Sequence, residues 1–154
     1  MGTVAAWPLV GREPELAAVA ALMDDDAGGV LLSGPAGVGK TRLATECLAL
    51  AEQRGWATAQ VRANRGAATI PFGAFAPLLP VTVASPDGRT EALRRATAAV
   101  VTAAGDGRLM LLVDDAHELD DASSALLHLL ATSAPIFPVQ SEDDTCADSA
   151  TLAT

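Results

Sequence analysis

Apolar positions along the chain alternate between a helical period and short unbroken runs. Leu16, Val19, Ala20 and Met23 share one helical face and predict a helix opened by the Leu9–Glu15 segment, with Pro14 in its first turn and acidic residues at its N-terminal end. Asp24–Gly29 ends it. Gly29–Ser33 then reads as a short buried strand, and Arg42–Arg54 returns to helical spacing through Leu43, Cys47, Leu50 and Ala51. Gly55 breaks that helix, and Trp56–Ala63 predicts a second strand, with a loop over Asn64–Ala68. Ile70–Pro80, holding two of the three phenylalanines, predicts a short helix between prolines with a packing role. A turn at Ser85–Gly88 leads to an Ala-rich helix over Thr90–Ala104, stopped by Gly105–Gly107. Arg108–Val113 is an unbroken apolar run that ends in Asp114 and Asp115. It predicts a fully buried parallel strand with carboxylates at its C-terminal edge. Asp120 or Asp121 caps a last helix whose face is Ala122, Ala125, Leu126, Leu129 and Leu130. Strands alternating with helices imply an α/β fold around a mostly parallel sheet.

Composition bounds this picture. At 154 residues and 50% hydrophobic content there is room for one domain and one core. The net charge is −9, of which −4 comes from Glu142, Asp143, Asp144 and Asp148 in a segment from Ser133 onward that has no basic residue. Neither a basic face nor a helix-turn-helix pattern is evident, which argues against direct nucleic-acid binding. Cys47 and Cys146 match no metal or secreted-disulfide spacing. Cys47 falls on an apolar helix face, consistent with a reducing cytoplasm. No apolar run approaches the ~18 residues that span a bilayer. Asp24–Asp26 reads as a solvated turn, and His117 and His128 lack a matching ligand set, so neither group is taken as a metal site.

The chemistry gathers at Gly34-Pro35-Ala36-Gly37-Val38-Gly39-Lys40-Thr41, which holds the only lysine in the chain and fits the phosphate-binding pattern G-x-x-x-x-G-K-[ST]. Glycines let the backbone turn so that N–H groups and the N-terminus of the next helix converge on phosphates. Lys40 is assigned to the β- and γ-phosphates and Thr41 to Mg²⁺, and Arg42 completes the nucleotide-contacting set. Asp114, at the end of the apolar strand, is the carboxylate expected to hold Mg²⁺. Asp115 is the candidate catalytic base, with Lys40 assisting.

Together these residues resemble the ATP-binding domain of the STAND class of AAA+-like signal-transduction ATPases, particularly that of large LuxR-family transcriptional regulators. The match runs from Leu9 to about Thr132. It rests on Leu9–Glu13, Leu32–Thr41, and Leu111–His117 followed by Leu119–Ser123. The resemblance implies a three-layer P-loop NTPase fold with ATP and Mg²⁺ as ligands, ATP/ADP exchange as the switch, and self-association or a partner protein as the readout. It also implicates Val10, Gly11 and Arg12 in contact with the base. Glu118 stands where many relatives have tryptophan.

The C-terminal part departs further. Residues 1–132 read as the ATP-binding core, and 133–154 as an acidic, disordered or aberrant tail, as from a frameshift or a premature end. In the class resembled, a strand after the last helix inserts between the phosphate-loop strand and the Asp114 strand. Here only Pro135–Val139 is at hand, and Pro138 belongs at a sheet edge. The expectation is therefore a sheet left incomplete at its C-terminal end, marginal stability, and weak or absent hydrolysis. The alternatives are a non-hydrolysing nucleotide-binding remnant or interaction module, and a small-molecule kinase, for which the chain shows neither acceptor site nor Arg-rich lid.

Overall fold

A computed structural model describes residues 10–25, 28–81, 88–132, 136–143 and 151–153. The expected turn at Ser85–Gly88 lies outside them except for Gly88, as do Leu9, Asp26, Pro135, Asp144, Cys146 and Asp148. Among the described residues the α-helices and strands follow in the order α1 (Glu13–Asp24), β1 (Val30–Gly34), α2 (Lys40–Gln53), β2 (Ala57–Arg62), α3 (Arg89–Ala104), β3 (Leu109–Asp114), α4 (Asp121–Ala131), β4 (Ile136–Asp143) and β5 (Thr151–Ala153). The sheet order is β2-β3-β4-β1-β5, parallel throughout except for β5, which runs antiparallel to β1.

Both faces of the sheet are covered, which explains why β3 is apolar at every position before its terminal aspartate. Leu109, Leu111 and Val113 pack with Ala96, Val100, Leu126 and Leu130 of α3 and α4. The intervening Met110 and Leu112 pack with Val19 and Met23 of α1 and with Leu43, Ala44 and Cys47 of α2. The period of two on a strand sorts neighbouring residues into opposite layers. The result is three layers, helices on sheet on helices. Ile70–Pro80 supplies packing as expected, through a 3₁₀ helix at Gly73–Leu78 that buries Phe75. Asp120, and not Asp121, caps α4: its carboxylate accepts from Ala122 N and Ser123 N, each at 3.0 Å, and from Phe72 N at 3.2 Å. Partial burial acts to raise its pKa, but these bonds and the Ser123 hydroxyl hold it below the usual aspartate value.

The expected gap in the sheet is not there. Ile136–Asp143 fills the slot between β1 and β3, so this stretch is a central strand and no part of a loose tail. Leu112 and Val30 both lie opposite Val139. The argument from Pro138 fails on magnitude. One absent N–H forfeits a ladder bond of about 0.5–1.5 kcal/mol net. Against this, Ile136, Phe137 and Val139 become buried, each contributing about 1.5–3 kcal/mol, and Phe137 meets the Trp56 ring edge-on at 6.0 Å. Room for the proline ring comes from Gly29: a Cβ there would lie 2.8 Å from both Pro138 Cγ and Pro138 O.

Gly29→Ala is accordingly expected to destabilise the fold by about 1–3 kcal/mol, because the methyl group meets backbone that cannot move without shifting β4. Chemical denaturation checks this, and an unchanged midpoint would show that the β1–β4 seam is looser than described. A second expectation concerns Cys47, whose thiol is pushed up to about 12, first by burial and then by the Glu46 charge. With the folded value above the unfolded one, folding holds the proton more tightly, so stability falls as pH rises from about 9 towards 12. Below pH 9, Ellman's reagent should leave Cys47 unmodified until the chain is denatured.

Candidate functional site

The C-terminal ends of β1, β3 and β4 converge on the loop that joins β1 to α2. Gly37 and Gly39 hold it with φ of +84° and +91°, a conformation that costs glycine little. A Cβ at either would meet nothing within 4 Å, so the requirement for glycine here is conformational and not one of space. Gly39 is the residue before α2, which makes Lys40 and Thr41 its first turn.

Lys40 is only 7% exposed, and its ammonium group has three partners. It donates to Gly34 O at 2.8 Å and Pro35 O at 2.7 Å, and pairs with Asp143 Oδ1 at 2.8 Å. The bond from Lys40 holds the Asp143 carboxyl below the usual aspartate pKa. Thr41 Oγ1 donates to Asp114 Oδ1 at 3.1 Å. Asp114 is buried at the end of β3 and also accepts from the Ser141 hydroxyl, which in turn accepts from Asp115 N at 3.2 Å. Asp115 has φ 55° and ψ 45°, in the left-handed region, and its carboxylate accepts from Arg62 Nε at 3.2 Å. Arg62, at the end of β2, also lies 3.9 Å from Asp114.

The sequence candidates thus separate. Lys40, Thr41, Asp114 and Asp115 come together around the loop. Arg12 joins them, donating through Nη2 to Val38 O at 2.9 Å and through Nη1 to Glu15 at 2.8 Å. Gly11 has φ +80°, whereas Val10 is 81% exposed. Arg42 forms an ion pair with Glu46 one turn along α2, at 2.6 Å. Glu118, in the tryptophan position of the relatives, pairs with Arg65 at 3.3 Å.

Three residues of the site were not candidates from sequence: Arg62, Ser141 and Asp143. A basic residue closing a strand at the ligand-bearing edge of an open sheet was the available signal for Arg62. Ser141 and Asp143 lie in the stretch read as tail, so nothing placed them beside Lys40.

The oxygens of Thr41 and Asp114 suit a hard divalent cation. Among the described residues no group of three or more His, Cys, Asp or Glu side chains is placed to hold a metal ion. A cation here therefore needs oxygens from its ligand as well, which is how Mg²⁺ is usually held with phosphates. A hollow of about 1010 Å³ lies elsewhere, lined by Ile70, Phe72, Leu79, Val81, Arg89 and Ala92 among others. It takes no residue from the Gly34–Thr41 loop. Among the described residues no helix is long and apolar enough to cross a membrane.

A mostly parallel sheet between helical layers, with a glycine loop leading from its β1 edge into a helix, defines a nucleotide-binding α/β fold of the P-loop ATPase kind. The AAA ATPase domain model matches residues 8–140, and the chain belongs to that family. No curated protein matches it. Among solved structures it is similar to the Aeropyrum pernix ORC2 protein, determined as ADPNP-ADP complexes, with a TM-score of 0.56 and 18% identity over 92% of this chain and 44% of that one. It is also similar to a chain of Drosophila ORC bound to AT-rich DNA and Cdc6, with a TM-score of 0.50 and 14% identity over 87% of this chain and 50% of that one. At such identities the likeness is one of fold, and the chain spans half or less of the length of these structures.

Ser141 links the two aspartates and is buried. Ser141→Ala should therefore lower stability by about 1.5–3 kcal/mol, the range for a hydrogen bond to a charged group. A chemical denaturation curve that does not move would show that the Ser141 bridge contributes nothing.

Proposed function

We propose that this chain is the ATP·Mg²⁺-binding domain of a signal-transduction ATPase like those of LuxR-family transcriptional regulators, with weak or no hydrolysis by itself. The observation that carries the reading is the meeting of a buried lysine, a threonine hydroxyl and a buried carboxylate around one glycine loop, with Thr41 Oγ1 3.1 Å from Asp114. In this reading Lys40 binds the β- and γ-phosphates, the loop backbone from Gly34 to Gly39 cradles them, and Thr41 and Asp114 hold the cation. Bound Mg²⁺ would neutralise phosphate charge. Asp115 orients or deprotonates water, Arg12 ties down the loop through Val38 O, and Val10, Gly11 and Arg12 lie against the nucleotide base. Arg42, tied to Glu46, is the weakest member of the set. The setting is cytoplasmic, in keeping with a buried free thiol at Cys47. Nucleotide state would be passed to a partner protein or a second copy of the chain, with no direct contact to nucleic acid.

A second reading, a nucleotide-binding module without turnover, has one observation in its favour. Asp115, the proposed base, is engaged by Arg62 at 3.2 Å, which occupies the carboxylate oxygen that would have to face the attacking water.

Four variants separate these roles. Lys40→Ala should weaken ATP binding by about 1.5–3 kcal/mol in calorimetry. Asp114→Asn should chiefly reduce the Mg²⁺ dependence of binding. Asp115→Asn should spare binding and abolish whatever single-turnover hydrolysis the chain shows. Arg62→Gln should raise that hydrolysis if the ion pair is what restrains Asp115. Wild-type affinity in the Lys40 variant, with an unchanged melting curve, would remove the loop from the site.

A further inference from the structure

The ammonium group of Lys40 has three protons and three acceptors. Two of these, Gly34 O and Pro35 O, are backbone carbonyls next to the loop itself, at 2.8 and 2.7 Å. The third is the carboxylate of Asp143, at 2.8 Å, carried in by the last residue of β4. Lys40 therefore has no proton to spare for a phosphate, and one of the three bonds must be given up when an anion arrives. The carbonyls are fixed by β1 and the turn that follows it. Asp143 ends its strand, and its side chain is 41% exposed, so its carboxylate is the partner with somewhere to go.

We infer that Asp143 is a carboxylate latch on Lys40: it competes with phosphate for the lysine and thereby sets the affinity of the loop for nucleotide. Charge adds to the stoichiometry. An anion within hydrogen-bond reach of the lysine repels an incoming phosphate unless it swings away. Asp114, Asp115 and Glu142 are the other acids at the ends of these strands, and none of them is paired with Lys40. Asp114 accepts from Thr41 and Ser141, and Asp115 from Arg62. Asp143 alone spends its charge on the phosphate-binding lysine. Its backbone N–H donates to His117 Nδ1 at 3.4 Å, so a side-chain substitution leaves the end of β4 anchored.

The part of this inference that concerns affinity rests on the nucleotide reading, so the test has two arms. The first titrates ATP·Mg²⁺ into wild type, Asp143→Asn and Asp143→Ser. Removing the charge should tighten binding roughly three- to tenfold, as befits a partly exposed ion pair, and more for serine, since asparagine still offers a neutral acceptor. The second arm needs no nucleotide. Lys40 is the only lysine, so its acylation by a small N-hydroxysuccinimide ester is read by digestion and mass spectrometry, separately from the N-terminal amine. Release from Asp143 should speed it by a similar factor. Melting curves establish that both variants are folded, and a result from either suffices. Unchanged Lys40 acylation, or wild-type ATP binding that neither variant tightens, overturns the latch. ATP binding absent from all three proteins overturns the nucleotide reading, while the acylation ratio still decides whether Asp143 restrains the lysine.

Discussion

The insertion of β4 between β1 and β3 is the constraint on which the rest depends. Without it the phosphate-type loop and the aspartate pair would belong to strands with no shared hydrogen bonds. With it, the ends of β1, β3 and β4 are locked in parallel register, Ser33 opposite Glu142 and Val113 opposite Gln140. That register places Ser141 against Asp114 and Asp143 against Lys40. The same strand carries Phe137 and Val139 into the layer that α1 and α2 cover, and Ile136 into the opposite one. Core and site are therefore consequences of one pairing.

The electrostatics of the site follow from how few cations it holds. Three aspartates meet Lys40, Arg62 and the hydroxyls of Thr41 and Ser141. Of the charged groups here only Lys40 and Asp114 are as much as nine-tenths buried, and each has several bonds, so neither charge is left bare in a medium where that would cost several kcal/mol. The exposed Arg62, at 71%, gains little from its pair energetically. Its consequence is geometric: it fixes where the Asp115 carboxylate points.

Most of the architecture was legible because it follows from local rules. The helical period marked α1 through α4, and the glycine loop had to lie between a strand and a helix. The unbroken run Leu109–Val113 could be stable only with both faces covered. The misreading of residues 136–143 also has a definite cause. A proline in a short polar-ended segment argues against a central strand when pairing is judged one residue at a time. The compensating feature, Gly29, is more than a hundred residues away and looks like an ordinary helix-to-strand turn. Only the folded register shows that the missing side chain and the extra ring are complementary. Arg62 and Asp143 were hidden for the same reason: their partners are set by strand order, which the sequence pattern leaves open.

Asp115 shows how tightly the strand ends are coupled. A non-glycine residue in the left-handed region costs about 1–3 kcal/mol, though less for aspartate than for most, and it persists only where its surroundings over-determine it. Here the N–H is held by Ser141 of β4, the carboxylate by Arg62 of β2, and the chain beyond turns at once into the 3₁₀ helix Ala116–Glu118. Each hold comes from a different strand. A displacement of β4 that freed Asp143 from Lys40 would therefore also slacken the Ser141 bond that fixes Asp115. The strand thus joins the lysine and the candidate base mechanically, although no side chain links them directly.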